Sequence, residues 1–129
     1  SNNLLDIVSN INSNRSIPII NINSFCSLAF KLMNENSINF LLVENDKKKI
    51  MGIITESSLL EVVSRTSFKE TVKNNITKVK KIDYQFDLKK IVKLIMKEKY
   101  LFVYKNNIFY GVINKTDILW YLKKKENNA

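Results

Sequence analysis

Two pairs of side chains sit where a helix is about to begin: Thr55 with Ser58, and Asn114 with Asp117. Each pair follows a glycine and two β-branched residues, Gly52-Ile53-Ile54 in one case and Gly111-Val112-Ile113 in the other. A Thr or Asn ahead of a helical run is an N-cap. A carboxylate three residues later can close a capping box, and it can also accept two hydroxyl protons at once. A helix N-terminus favours phosphate, and Lys78, Lys80 and Lys81 supply cations around the apolar Val79 and Ile82. The chain has no histidine, which removes Ser-His-Asp triads, Cys-His pairs and His-ligated zinc. Neither a P-loop nor a Gly-x-Gly-x-x-Gly turn is present. Cys26, the one cysteine, lies beside Phe25 and Leu28 and reads as core rather than nucleophile. A catalytic role is not expected.

The elements that must position these residues follow from hydrophobic spacing. Residues 4–11 predict a short lead helix. Ile17-Pro18-Ile19-Ile20 predicts a strand, which the proline confines to an edge or a strand start. Ser24 is expected to cap a helix carrying Phe25, Leu28, Ala29, Leu32 and Met33 on one face. Residues 38–54 predict a hairpin turning at Asn45–Lys48, and Leu59, Leu60, Val62 and Val63 line the helix after Thr55. The second half replays this with a short helix at 68–76, a strand at 79–82, and a helix from Asp87 with Leu88, Ile91, Val92 and Ile95 inward. A hairpin follows at 100–113, and a last helix carries Ile118, Leu119 and Leu122. Placing Ile20 on Ile82 and Gly52 on Gly111 makes the second copy about three residues shorter. The expectation is an α+β fold of two β-α-β-β-α repeats, over 1–66 and 67–129, each with a lead helix. Copies this small bury little surface alone, so the two are expected to pack about a pseudo-two-fold axis.

Charge is unevenly shared. Residues 1–66 hold six Lys/Arg and six Asp/Glu, whereas residues 67–129 hold fifteen and six and so carry the whole net charge of +9. A basic half suggests an anionic partner. The lone cysteine and the lack of an apolar run of spanning length predict a cytoplasmic protein without a transmembrane segment.

The duplicated Gly-apolar-apolar-Thr-x-x-(Asp) transition and the order of elements resemble the CBS (cystathionine β-synthase) domain pair, or Bateman module. The likeness covers roughly residues 4–123. Within it, Ser27–Met33, Phe40–Asp46 and Met51–Leu60 follow the family's first repeat almost phrase by phrase. The resemblance implies regulation, with an adenosine nucleotide (AMP, ATP or S-adenosylmethionine) in a cleft between the repeats and no required cofactor or metal. It also implies a homodimer formed through the helices, within or beside a larger enzyme or transporter. Carried over residue by residue, Asp117 would hold the ribose, with Asn114 standing where the family has Ser or Thr. Val79, Ile82, Tyr100 and Leu101 would flank the base, and Lys78, Lys80 and Lys81 would meet phosphate. The first copy keeps Thr55 but has Ser58 in place of the carboxylate. Its weaker site would add Ile17, Pro18, Ile19, Phe40 and Leu41.

Two other readings remain open. The basic second repeat could meet an anionic surface, nucleic acid or membrane lipid, or sense ionic strength. Tyr84, Phe86, Tyr104, Phe109, Tyr110 and Trp120 would then be available for stacking, although their positions read mainly as packing. Alternatively the pair is a structural dimerisation module with inactive clefts, a reading the two incomplete motifs favour.

Overall fold

The computed structural model describes residues 17–128, which divide after Lys78 into two compact units. The first runs strand β1 (Ile19–Asn21), helix α1 (Cys26–Glu35), strand β2 (Phe40–Glu44), strand β3 (Ile50–Thr55) and helix α2 (Glu56–Arg65), then a 3-10 turn at Lys73–Asn75. The second repeats the order as β4 (Lys80–Asp83), α3 (Leu88–Ile95), β5 (Leu101–Lys105), β6 (Ile108–Ile113) and α4 (Lys115–Asn127). The α+β fold with β-α-β-β-α twice over is therefore present. The lead helix expected at 4–11 lies outside the described residues.

Each unit has one three-stranded sheet, ordered β1-β2-β3 and β4-β5-β6. The first two strands of each are parallel and the last two antiparallel. Parallel neighbours need a crossover, and α1 and α3 provide it. Pro18 precedes the edge strand β1, where its carbonyl accepts from the Leu42 amide at 3.1 Å and its missing N–H breaks no ladder.

The repeat extends to an irregularity. Val43 pairs with Gly52 and Glu44 with Ile50, which leaves Met51 as an extra residue; Val103 pairs with Gly111 and Tyr104 with Phe109, which leaves Tyr110. Each hairpin thus carries a bulge immediately before its glycine, bending the strand that leads to the helix N-terminus. The second hairpin turns on Asn106 and Asn107 at φ 51° and 63°, the left-handed pair that a two-residue type I′ turn demands.

The core of the first unit is Ile20, Cys26, Ala29, Met33, Leu41, Val43, Ile54, Leu59, Val62 and Val72. That of the second is Ile82, Ile91, Ile95, Leu101, Val103, Ile113 and Ile118. In both, one face of the sheet is covered by the two helices of its own unit, as an amphipathic stripe requires.

Residues 67–78 were expected to lead the second half, with a helix over 68–76. They bond instead to the first. Thr71 bridges to Phe25, and Thr77 bridges to Ile53. The Phe68 and Glu70 carbonyls accept from the Ser27 and Cys26 amides at 3.0 and 2.8 Å. These carbonyls satisfy amides at the start of α1, so Ser24 does not cap that helix: the N-cap is Phe25, with no side-chain bond. A chain used as an external cap cannot also close its own helical ladder, and only the 3-10 turn at Lys73–Asn75 remains.

Candidate functional site

In the second unit, Lys80, Leu101 and Ile113 stand side by side across the sheet. The start of β4, the start of β5 and the end of β6 therefore share one end of the sheet, and α4 begins there. Asn114 caps α4 by accepting from the Asp117 amide at 3.0 Å, and Asp117 Oδ2 accepts from the Asn114 amide at 2.8 Å. This is a complete capping box, and it holds Asp117 at 5% exposure, the one buried charged residue among those described.

Around it, Tyr100 is buried, and the Lys99 ammonium lies 5.8 Å from its ring centroid. Lys80 and Lys81 are exposed and Val79 half-buried. Lys81 reaches over the Tyr104 ring, 5.2 Å from the centroid. Ile82 and Leu101, expected to flank a base, pack in the core among residues of α3 and α4; Leu101 stands at this end of the sheet, whereas Ile82 pairs with Val103 further along it. Lys78 closes the first unit.

The first unit brings the matching residues to the same end of its sheet, since Phe40 pairs with Thr55 and Ile19 with Leu42. Phe40 and Leu41 are buried, whereas Ile17 and Pro18 are half-buried and Ile19 is exposed. Thr55 caps α2 by accepting from the Ser58 amide at 3.1 Å, and its hydroxyl donates to Ser58 Oγ at 3.0 Å. Ser58 Oγ thus accepts the Thr55 hydroxyl proton, where the second unit has a carboxylate. Burial, then the charge of Glu70, pushes the Cys26 thiol upward. A buried neutral thiol is a poor nucleophile, in keeping with a packing role. No cluster of metal-ligating side chains occurs among the described residues.

Helix spacing misjudged the outer faces. Val92, expected inward, is 38% exposed, and of the apolar residues the last helix carries, Leu119 and Leu122 are 65% and 38% exposed, with Trp120 at 67%. The capping box explains the rotation: with Asp117 turned inward, α4 buries Ile118 and half-buries Tyr121, and the next apolar positions face out. Leu28 and Leu60 of the first unit are exposed as well. Nothing in a single-chain hydrophobic pattern separates a core stripe from one awaiting a partner.

Residues 8–65 match the family model of the CBS domain. No curated protein sequence matches the chain significantly. Among solved structures, a protein with CBS domains from Burkholderia ambifaria is 26% identical over 94% of this chain and 93% of its own, with a TM-score of 0.77. A CBS-domain-containing protein from Agrobacterium tumefaciens is 17% identical, with coverages of 92% and 91% and a TM-score of 0.76. A CBS-pair protein from Arabidopsis thaliana is 15% identical, with coverages of 88% and 90% and a TM-score of 0.75.

Proposed function

Since the chain folds as a CBS-domain pair, generally a regulatory module, we propose that it senses an adenosine nucleotide of the AMP, ATP or S-adenosylmethionine class, at the second-repeat site around Asp117. The observation that carries this reading is the buried capping-box carboxylate at the sheet end shared by Lys80, Tyr100 and Asn114. One oxygen of Asp117 accepts from the Asn114 amide, and a carboxylate is the side chain suited to accepting the hydroxyl protons of a ribose. In the first repeat Ser58 offers no charge and is already bonded to Thr55, so one site per chain is expected. The output is regulatory, exerted in the cytoplasm on a larger enzyme or transporter that contains or binds the module. Pairing of two copies is assigned to the first unit's helices, where Leu28, Phe30 and Leu60 are exposed on a unit with eight basic and six acidic side chains.

Isothermal titration with AMP, ATP and S-adenosylmethionine tests the reading. Asp117→Asn keeps an acceptor for the Asn114 amide and removes the charge, so binding should weaken at least tenfold with folding retained. No heat from any of the three ligands on folded protein would leave a structural pairing module, the reading that the uncharged first-repeat site favours.

A further inference from the structure

We propose that two copies of this chain pair head to tail, with the outward face of α1 and α2 in one copy against the outward face of α3 and α4 in the other. The proposal rests on the pairing reading above and names the surface that the first unit's helices meet. Both faces expose large apolar side chains, Leu28, Phe30 and Leu60 on the first and Val92, Leu119 and Trp120 on the second. Leu60 and Leu119 stand at equivalent positions when Gly52 is set on Gly111. Apolar surface gathered on one side of a unit marks an interaction face.

The charges on the two faces are opposite. Helices α1 and α2 carry Lys31 and Arg65 against Glu35, Glu56 and Glu61, a net of −1, whereas α3 and α4 carry seven lysines against Asp117 and Glu126, a net of +5. The reversal falls at equivalent positions. With Gly52 on Gly111, Glu56 falls on Lys115; with Ile20 on Ile82, Glu35 falls on Lys97. All four are exposed. The ion pairs within the first face, Lys31–Glu35 at 3.9 Å and Arg65–Glu61 at 3.3 Å, are in water and weak, so they compete little with a partner. Pairing like with like would set the basic face against its own copy, which complementarity disfavours, or leave Leu119 and Trp120 in water. Head-to-tail pairing covers both apolar faces and gives each the opposite charge. A two-fold axis repeats the contact and closes the assembly at two copies.

Trp120, the only tryptophan in the chain, lies within the second face and reports on it. The full chain without nucleotide is followed by sedimentation equilibrium and by Trp120 emission as its concentration rises. The expected result is a dimer whose formation shifts the emission to the blue. Its dissociation constant should rise at least about tenfold between about 50 mM and 500 mM salt, since opposite charges are screened. Two variants alter only the first unit, Leu28→Ser with Leu60→Ser and Glu35→Lys with Glu56→Lys. Circular dichroism checks that each is folded, and either should abolish the Trp120 shift at concentrations where the parent pairs. A chain that stays monomeric at every concentration overturns the pairing reading and the proposal with it. A dimer in which Trp120 keeps its monomer emission pairs through the first units alone. One whose Trp120 shift survives both first-unit variants pairs through the second units alone. Either result overturns the head-to-tail proposal and leaves the pairing itself intact.

Discussion

Replacing Gly52 by alanine should unlatch the segment that follows α2. A methyl group at Gly52 points into the Thr77 carbonyl oxygen and comes within 2.7 Å of Ile76 Cγ2. The Ile76 side chain can shift, but the Thr77 carbonyl is backbone. It is held by the bridge in which Ile53 and Thr77 exchange amide–carbonyl bonds of 3.0 and 2.8 Å. Relief therefore means opening that bridge. Two net backbone hydrogen bonds are worth about 1–3 kcal/mol, and residual crowding of a packed position adds about 1 kcal/mol. The expected destabilisation is about 2–4 kcal/mol, or a melting temperature lower by roughly 10 °C for a chain of this size. Thermal unfolding followed by circular dichroism measures the shift, and hydrogen exchange at the Ile53 and Thr77 amides locates it. Met51→Ala is the control, because Met51 is the bulged, exposed neighbour and should change stability by no more than about 0.5 kcal/mol. A Gly52→Ala melting temperature within about 2 °C of the parent, with both amides still protected, would refute the reasoning.

Other outcomes follow from the caps and the core. Asn114→Ala should cost about 1 kcal/mol in urea unfolding, and its effect should not add to that of Asp117→Ala, because each side chain serves the other's amide. Ser58→Asp places a charge at the start of α2 and should raise stability by about 0.5 kcal/mol, read as a higher urea midpoint at low salt. Because the fold holds the Cys26 thiol above its usual value of 9.0, the unfolded chain releases that proton first as pH rises. The contribution is whole below that ordinary value and is lost as pH climbs beyond it. Cys26→Ala should accordingly lose less stability than the parent between pH 8 and 10, and equal slopes would show that the thiol does not contribute.

The repeat was legible because its signals are local. Asn-Asn at the second hairpin, Asp87, Thr55 and Asn114 as caps, and the alternation around two scarce glycines each depend on neighbours a few residues away. Asp117 was legible as a capping-box partner for the same reason. What stayed hidden depends on distant chain. The cap of α1 comes from Phe68 and Glu70, some forty residues downstream, so Ser24 looked like the cap by type and was not. The bulges at Met51 and Tyr110 each insert one unpaired residue into a ladder, which shows only once the partner strand is in place. The outward turn of Leu119, Trp120 and Leu122 follows from the inward turn of Asp117, a polar residue that spacing rules count as surface.

Helix α1 is finished by a stretch of chain that is not its own, and this decides where the molecule can be cut. A swap of halves between homologues that ends at Arg65 would strip the Cys26 and Ser27 amides of their acceptors and leave Ile53 with a neighbour on one side only. Ending it at Lys78 carries the seam along with the piece it closes. The portable module therefore runs from Ile17 to Lys78, and its last thirteen residues act less as a tether than as its final strap.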